Sequence, residues 1–246
     1  MNIAFIGCSV MSREIYYEAY KSKNKIKTWW LNQGLHDTPR ILNKLLEKKI
    51  EEIESEQKEL KEDEKYDYIC LGYGLCSNGI IGLKSKTISL VIPKCDDCIA
   101  LFLGGKKRYE TLFKKYKGIY WYNIGWIEQA FTPSKENYER HRKQYEKIYE
   151  KEIVEYLMKE EIIWTKQYQY GMYIESPIIE NNEYCLYAKK ATEDFGWTFK
   201  KIKGEMNMFY RLLNGLWDNK DFLICPPEHK IILDYGQNKI KCMHVE

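Results

Sequence analysis

The sequence predicts an α/β fold: a mainly parallel sheet flanked by helices, with a smaller α/β extension toward the C-terminus. Three observations predict it. Apolar runs of strand length recur at 2–6, 26–31, 66–71, 89–93 and 119–123. Segments of helical character separate most of them, and strand–helix alternation builds a parallel sheet covered by helices. Three of the runs lead into tight turns that carry a cysteine: Cys8 in IAFIGCS, Cys76 in YICLGYGLCSNG and Cys98 in LVIPKCDDC.

Each element follows from its local chemistry. Asn2–Ile6 reads as a buried strand. Gly7-Cys8-Ser9 turns the chain, and Ser12 is placed to cap a helix running to Tyr20. Ile26–Leu31 is β-branched and aromatic, hence a second strand. In the loop NQGLHDTP, Pro39 sits at the first helical position, where its fixed φ suits a helix start. Ile41, Leu42, Leu45, Leu46, Ile50 and Ile53 then follow helical spacing, with Lys and Glu on a solvated face. Tyr66–Leu71 is the third strand and Ser89–Pro93 the fourth, stopped by its proline. Cys95–Leu103 reads as a helix ending at Gly104-Gly105. Ile119–Asn123 is a fifth strand.

After Thr132 the texture changes, so a boundary is placed there: 1–132 as a Rossmann-like domain and 133–246 as the extension. Ser134–Lys159 is a charged helical segment, Tyr184–Ala188 reads as a strand, and 205–217 as an amphipathic helix. Asp221–Cys225 is a strand stopped by Pro226-Pro227, with Ile231–Tyr235 as its expected partner.

Composition narrows the function classes. A formal net charge of +3, from 39 basic and 36 acidic side chains, gives no strong pull toward nucleic acid or an anionic membrane. The 21 Tyr and 7 Trp argue against disorder and leave a homodimer through the aromatic second half plausible. No apolar run is long enough to span a bilayer, and MNIAFIGCS lacks the basic start of a signal peptide. The expected location is therefore cytoplasmic. The eight cysteines are then expected as thiols, ligands or redox residues, not as disulfide staples.

Equivalent ends of neighbouring parallel strands meet in space, and ligands of open α/β sheets bind outside those ends. Cys8, Cys76 and Cys98 would form a soft three-thiol site there, suited to zinc or an iron–sulfur cluster such as 4Fe-4S. Three ligands leave one coordination position open, as a catalytic site requires. His36 could supply a fourth ligand. Buried cysteine packing as a small hydrophobe is the competing explanation. Cys95-x-x-Cys98 near a helix start is a candidate redox pair, although Asp96 and Asp97 would oppose thiolate formation. In GYGLCSNG, the glycines 72, 74 and 79 allow close backbone approach, and Tyr73 and Asn78 accompany them as candidate substrate contacts. A tight strand-to-helix turn explains the same glycines. Cys70 reads as core, and Cys185, Cys225 and Cys242 as structural or incidental.

The runs YDYICLGYGLCSNGIIGL, ISLVIPKCDDCIALFLGGKKRYE and IYWYNIGWIE resemble the domain-of-unknown-function 1638 family. GCSVMSREI, LNQGLHDTP and LLNGLWDNKDFLICPP extend the resemblance more weakly. It carries the family's cysteines onto Cys8, Cys76 and Cys98, its loop histidine onto His36, and an aspartate onto Asp97. Where the family has His-Asp-Cys, this chain has Asp96-Asp97-Cys98 preceded by Cys95. The resemblance implies an anaerobic setting and association with corrinoid-dependent methyl transfer.

The combined expectation is a cytoplasmic metal- or iron–sulfur-binding protein acting on a small thiol, methyl or sulfur-containing substrate. Asp97, Glu128 and His36 are its acid–base candidates, and Gly72, Tyr73, Gly74, Asn78, Gly79 and Trp126 its substrate contacts. A non-catalytic accessory protein binding metal, corrinoid or a methyltransferase subunit, and a Cys95/Cys98 redox protein, remain the alternatives.

Overall fold

The computed structural model describes residues 1–236 and 239–245. In chain order the elements are β1 (Asn2–Cys8), α1 (Ser12–Lys21), β2 (Lys25–Leu31), α2 (Pro39–Gln57), β3 (Tyr68–Gly72) and β4 (Ser89–Pro93). Then come α3 (Ile99–Phe102), α4 (Lys106–Lys115), β5 (Ile119–Tyr122), α5 (Ile124–Gln129), α6 (Lys135–Tyr145), α7 (Lys151–Ile163) and β6 (Tyr170–Glu175). The last are α8 (Asn182–Asp194), β7 (Thr198–Lys203), α9 (Asn207–Leu213), β8 (Phe222–Cys225), β9 (His229–Asp234) and β10 (Lys239–His244). The fold is mixed α/β, with a mostly parallel central sheet flanked by helices. Among the described residues no helix is long and apolar enough to cross a membrane.

The chain divides into two compact units, 1–109 with 205–246, and 110–204. The boundary anticipated at 132/133 falls inside the second, between α5 and α6. The first unit holds a five-stranded sheet in the order β2-β1-β3-β4-β8. β1 pairs in parallel with β2 on one side and β3 on the other, β4 continues in parallel, and β8 closes the edge antiparallel. β1 is buried from Ile3 to Cys8, as a strand covered on both faces must be. The β1–α1–β2 and β2–α2–β3 connections run in opposite directions from β1. Right-handed crossovers therefore put α1 and α2 on opposite faces. α1 packs on α9, and α2 on β1. α2 starts at Pro39, as its sequence signalled. Its buried stripe is Leu42, Leu46, Ile50 and Ile53, while Ile41 and Leu45 are exposed.

One acidic residue on α2 is not on the solvated face. Glu54 is buried, and its Oε1 accepts from Ser85 Oγ at 2.7 Å, Lys86 N at 2.6 Å, Thr87 N at 2.7 Å and Thr87 Oγ1 at 3.0 Å. Asn43, about three turns earlier on the same helix face, donates to the carbonyls of Gly79 and Ile81, both at 2.9 Å. Together these bonds hold the long β3–β4 connection against α2.

The second unit is a three-stranded parallel sheet, β5-β6-β7. Tyr122, Tyr173, Ala188 and Ala191 form a core there. The strand expected at Tyr184–Ala188 is instead part of helix α8. Asn181 caps it by accepting from Glu183 N at 2.8 Å, and Ala188, Ala191 and Thr192 are its buried face. A Cβ on Gly171 of β6 would come within 2.0 Å of Thr192 Oγ1, so glycine lets α8 sit against the sheet.

Four further expectations are corrected. Ser12 is the first residue of α1, not its cap, because the turn Ser9–Met11 precedes it. The helix read over Cys95–Leu103 is only Ile99–Phe102, since Lys94–Asp97 bends to meet the β3 loop. The helix read over 205–217 covers Asn207–Leu213. β9 hydrogen-bonds with β10, not with β8 as expected for Ile231–Tyr235.

Candidate functional site

The parallel strands β1, β3 and β4 point the same way, so their carboxyl ends share an edge. Cys8 is the last residue of β1, and Cys76 and Cys98 lie in the turns after β3 and β4. Those two turns are joined backbone to backbone. Leu75 N donates to Cys95 O and Cys76 N to Asp96 O, each at 2.9 Å. A Cβ on Gly74 would lie 2.7 Å from Cys95 O and 2.9 Å from Asp97 N. Only glycine allows that approach. Gly72 and Gly79 are likewise packed closely, on Phe5 and Leu42 respectively.

The β3 turn is conformationally costly. Cys76, Ser77 and Asn78 have φ of 44°, 57° and 67°, three successive left-handed residues without a glycine. L-residues pay roughly 1–2 kcal/mol each for that conformation, and such outliers cluster at functional sites. Ser77 and Asn78 are exposed, while Cys76 is buried.

The sulfurs lie within electrostatic reach of one another. The Gly74 and Cys98 amides donate to Cys76 Sγ, and the Val10 amide to Cys8 Sγ. Burial is the main force raising every thiol here. It pushes Cys76 up to about 12, with Asp97 and Cys8 adding to the rise. Cys98 is pushed well up by burial, then by Cys76, Cys8, Asp97 and Cys95. Cys8 is raised by burial, and Cys95 by burial and then by Cys76 and the two aspartates. The Cys95 thiol donates to Asp97 O at 3.3 Å. In the Cys95/Cys98 pair the shift is thus opposite to the one that activates a redox dithiol.

Tyr73 sits among them. Its phenol is raised by burial and further by Cys8, Cys76 and Cys98. The residue is 4% exposed, and among the described residues its buried hydroxyl has no hydrogen-bond partner. Leaving a buried hydroxyl unsatisfied costs about 1–3 kcal/mol.

The aspartates have fixed tasks. Asp97 Oδ1 accepts from Ile99 N at 2.9 Å and Oδ2 from Tyr109 OH at 2.8 Å. Burial raises its carboxyl, against the lowering effect of those bonds. Asp96 is held through both oxygens by Lys239 Nζ, at 2.8 and 3.0 Å. Tyr109 and Lys239 escaped the sequence reading, because nothing near them in the chain marks a contact with the β4 turn.

The group brought together is therefore Cys8, Tyr73, Cys76, Cys95, Asp97 and Cys98. His36 stands on the turn Leu35–Asp37 after β2, with Nε2 3.4 Å from Asp37 Oδ1. Glu128 and Trp126 belong to α5 of the second unit, where Tyr184 OH donates to Glu128 and Trp126 Nε1 donates to Tyr120 OH at 3.2 Å.

The buried thiols are donors of the kind a thiophilic cation takes, whereas Asp96 and Asp97 are already engaged. Among the described residues, however, no three His, Cys, Asp or Glu side chains are gathered closely enough to hold a metal ion as they stand. Binding would require the sulfurs to draw together.

Compared with known proteins, the chain matches the family described as protein of unknown function (DUF1638) over residues 30–213. That span contains Cys76, Cys95 and Cys98 and leaves Cys8, Cys225 and Cys242 outside. No curated protein and no solved structure matches the chain.

Proposed function

The chain belongs to the DUF1638 family, and from that premise we propose that it is a cation- or cluster-binding protein whose donors are Cys8, Cys76 and Cys98. The observation that carries this reading is the buried Tyr73 hydroxyl, without a hydrogen-bond partner among the described residues and within electrostatic reach of all three thiols.

The first unit is read as a Rossmann-like domain. In its strand order, the chain leaves β1 toward β2 and returns on the other side at β3. That reversal makes a crevice outside the carboxyl ends, where ligands of such sheets bind. The smaller α/β extension is read as the second unit, 110–204, with its own three-stranded sheet. Electrostatics supports a positive guest: the thiols are raised by burial and by one another, so bringing them to the thiolate form calls for a compensating cation. When bound, zinc would favour the thiolate of a thiol substrate, and an iron–sulfur cluster with an open iron would accept or release sulfur.

The chain's own residues have distinct roles. Gly74 and Cys98 aim amides at Cys76 Sγ and so favour its charged form. Asp97, with both oxygens engaged, positions the turn that carries Cys98. Tyr73 faces the guest. A small thiol, methyl or sulfur compound is the substrate class, and a corrinoid or methyltransferase partner accompanies this reading.

The test is elemental analysis and absorption spectroscopy of anaerobically purified protein. A brown, iron- and sulfide-containing sample or a colourless zinc-loaded one supports the reading. Cys8→Ala, Cys76→Ala and Cys98→Ala should each lose most of the metal while keeping a cooperative unfolding transition. Wild-type protein that carries negligible metal, and takes up none when titrated anaerobically with zinc or ferrous iron plus sulfide, defeats it.

A further inference from the structure

Two more thiols meet in the first unit, away from the strand-end group. Cys225 ends β8 and is fully buried; Cys242 lies on β10 and is half-buried. Cys242 stands opposite Ile231 in the β9–β10 hairpin, and Ile240, two residues earlier on the same face, is also buried. Side chains alternate along a strand, so this is the inward face of the hairpin. β10 packs on β8, the antiparallel edge strand of the central sheet. There Cys225 Sγ lies 3.4 Å from His229 O and in hydrogen-bond contact with the Cys242 thiol.

We infer that Cys225 and Cys242 are a reversible dithiol–disulfide pair that fastens the C-terminal hairpin to the edge of the central sheet. The two thiols differ in a way that orders the chemistry. Burial, then Cys242, pushes Cys225 up to about 12, so it is a poor first nucleophile. Cys242 is the one a small oxidant reaches. Its thiolate attacks a low-molecular-weight disulfide, forming a mixed disulfide and expelling one thiolate, which takes up the Cys242 proton. Cys225 then attacks the Cys242 sulfur and expels the second small thiolate, which takes up the Cys225 proton. Two protein thiols are oxidised and one small disulfide is reduced to two thiols. The bond has a structural consequence. Lys239, on the same strand as Cys242, holds Asp96, so fixing the hairpin also steadies the turn bearing Cys95 and Cys98.

The experiment uses the full, reduced chain incubated under native conditions with glutathione disulfide. Free thiols should fall from eight to six. A non-reducing digest should contain a peptide joining Cys225 to Cys242, and dithiothreitol should reverse both changes. Closing a loop of this size should raise the thermal midpoint by roughly 5 °C. Cys242→Ser, at a half-buried position, should abolish the thiol loss and the shift, whereas Cys185→Ser in the second unit should leave both intact. The inference is overturned if eight thiols persist, if Cys242 stops at the glutathione adduct, or if the cross-link joins any of Cys8, Cys76, Cys95 and Cys98. Thiols are counted in denaturant with a chelator, so none of these readouts depends on whether the strand-end group binds a cation.

Discussion

The amide of Cys76 donates to the carbonyl of Asp96 at 2.9 Å, stitching the turn after β3 to the turn after β4. Two cysteine-bearing segments that leave different strands are thus joined backbone to backbone, with Leu75 N donating to Cys95 O at 2.9 Å as the second tie.

Gly74 is the residue that permits this. An added methyl would press on backbone atoms of Cys95 and Asp97, and backbone cannot step aside as a flexible side chain can. Gly74→Ala should cost about 2 kcal/mol, in the range of other overpacked sites, and should weaken metal uptake. Denaturant unfolding alongside zinc titration checks both. An alanine variant with parental stability would mean that the two turns are not tightly joined.

Glu54 should be among the most sensitive polar positions in the chain. One carboxylate oxygen serves two hydroxyls and two amides in the β3–β4 connection. Glu54→Ala strands those donors and should cost about 3 kcal/mol. Glu54→Gln keeps an acceptor oxygen but loses the charge, and should cost about half as much. Chemical denaturation measures both. Equal losses for the two variants would show that packing, not the charged acceptor, is what matters.

How legible was all this? β1, β3 and β4 are apolar runs buried almost throughout, and burial on both faces leaves that signature in the sequence; the edge strand β2 is legible instead from its β-branched and aromatic residues. The ends of those strands alone suffice to put Cys8, Cys76 and Cys98 at one edge of the sheet. Glu54 was hidden because a charged helix normally turns Glu to solvent, and only the donors in 85–87 reveal otherwise. Tyr184–Ala188 misled because tyrosine and cysteine suit a strand as well as a helix, and the deciding partner, Gly171, belongs to a strand that went unread. The Cys225–Cys242 contact depends on hairpin register, which local composition does not encode.

Glu18 offers a pH-dependent test. It is buried on α1, and its Oε2 has no hydrogen-bond partner among the described residues. Burial raises its carboxyl above the usual 4.5, partly offset by Lys21. A carboxyl raised on folding binds its proton more tightly in the native state. Its penalty is therefore absent below the unfolded value, sets in as pH rises past about 4.5, and is complete above the folded value. Glu18→Gln should accordingly gain stability relative to the parent as pH rises from 4 to 8. Parallel unfolding curves across that range settle it, and a constant or shrinking difference would refute the assignment.

The left-handed run Cys76-Ser77-Asn78 sets stability against function most directly. Glycine at position 77 would relieve roughly 1–2 kcal/mol of backbone strain and give back about 0.5–1 kcal/mol through unfolded-state entropy. Ser77→Gly should therefore stabilise the fold by about 0.5 kcal/mol. Asn78→Gly should gain less, since asparagine tolerates this conformation better than serine. If the strain exists to hold Cys76 in place, Ser77→Gly should also bind metal more weakly, because the turn that aims the sulfur has been loosened. Stability up and affinity down is the expected pair of results, read by denaturant unfolding and anaerobic zinc titration on the same preparation. A variant that is both more stable and equally avid would show that the turn's conformation serves the chain path alone. A destabilised variant would show that the Ser77 side chain supports the turn.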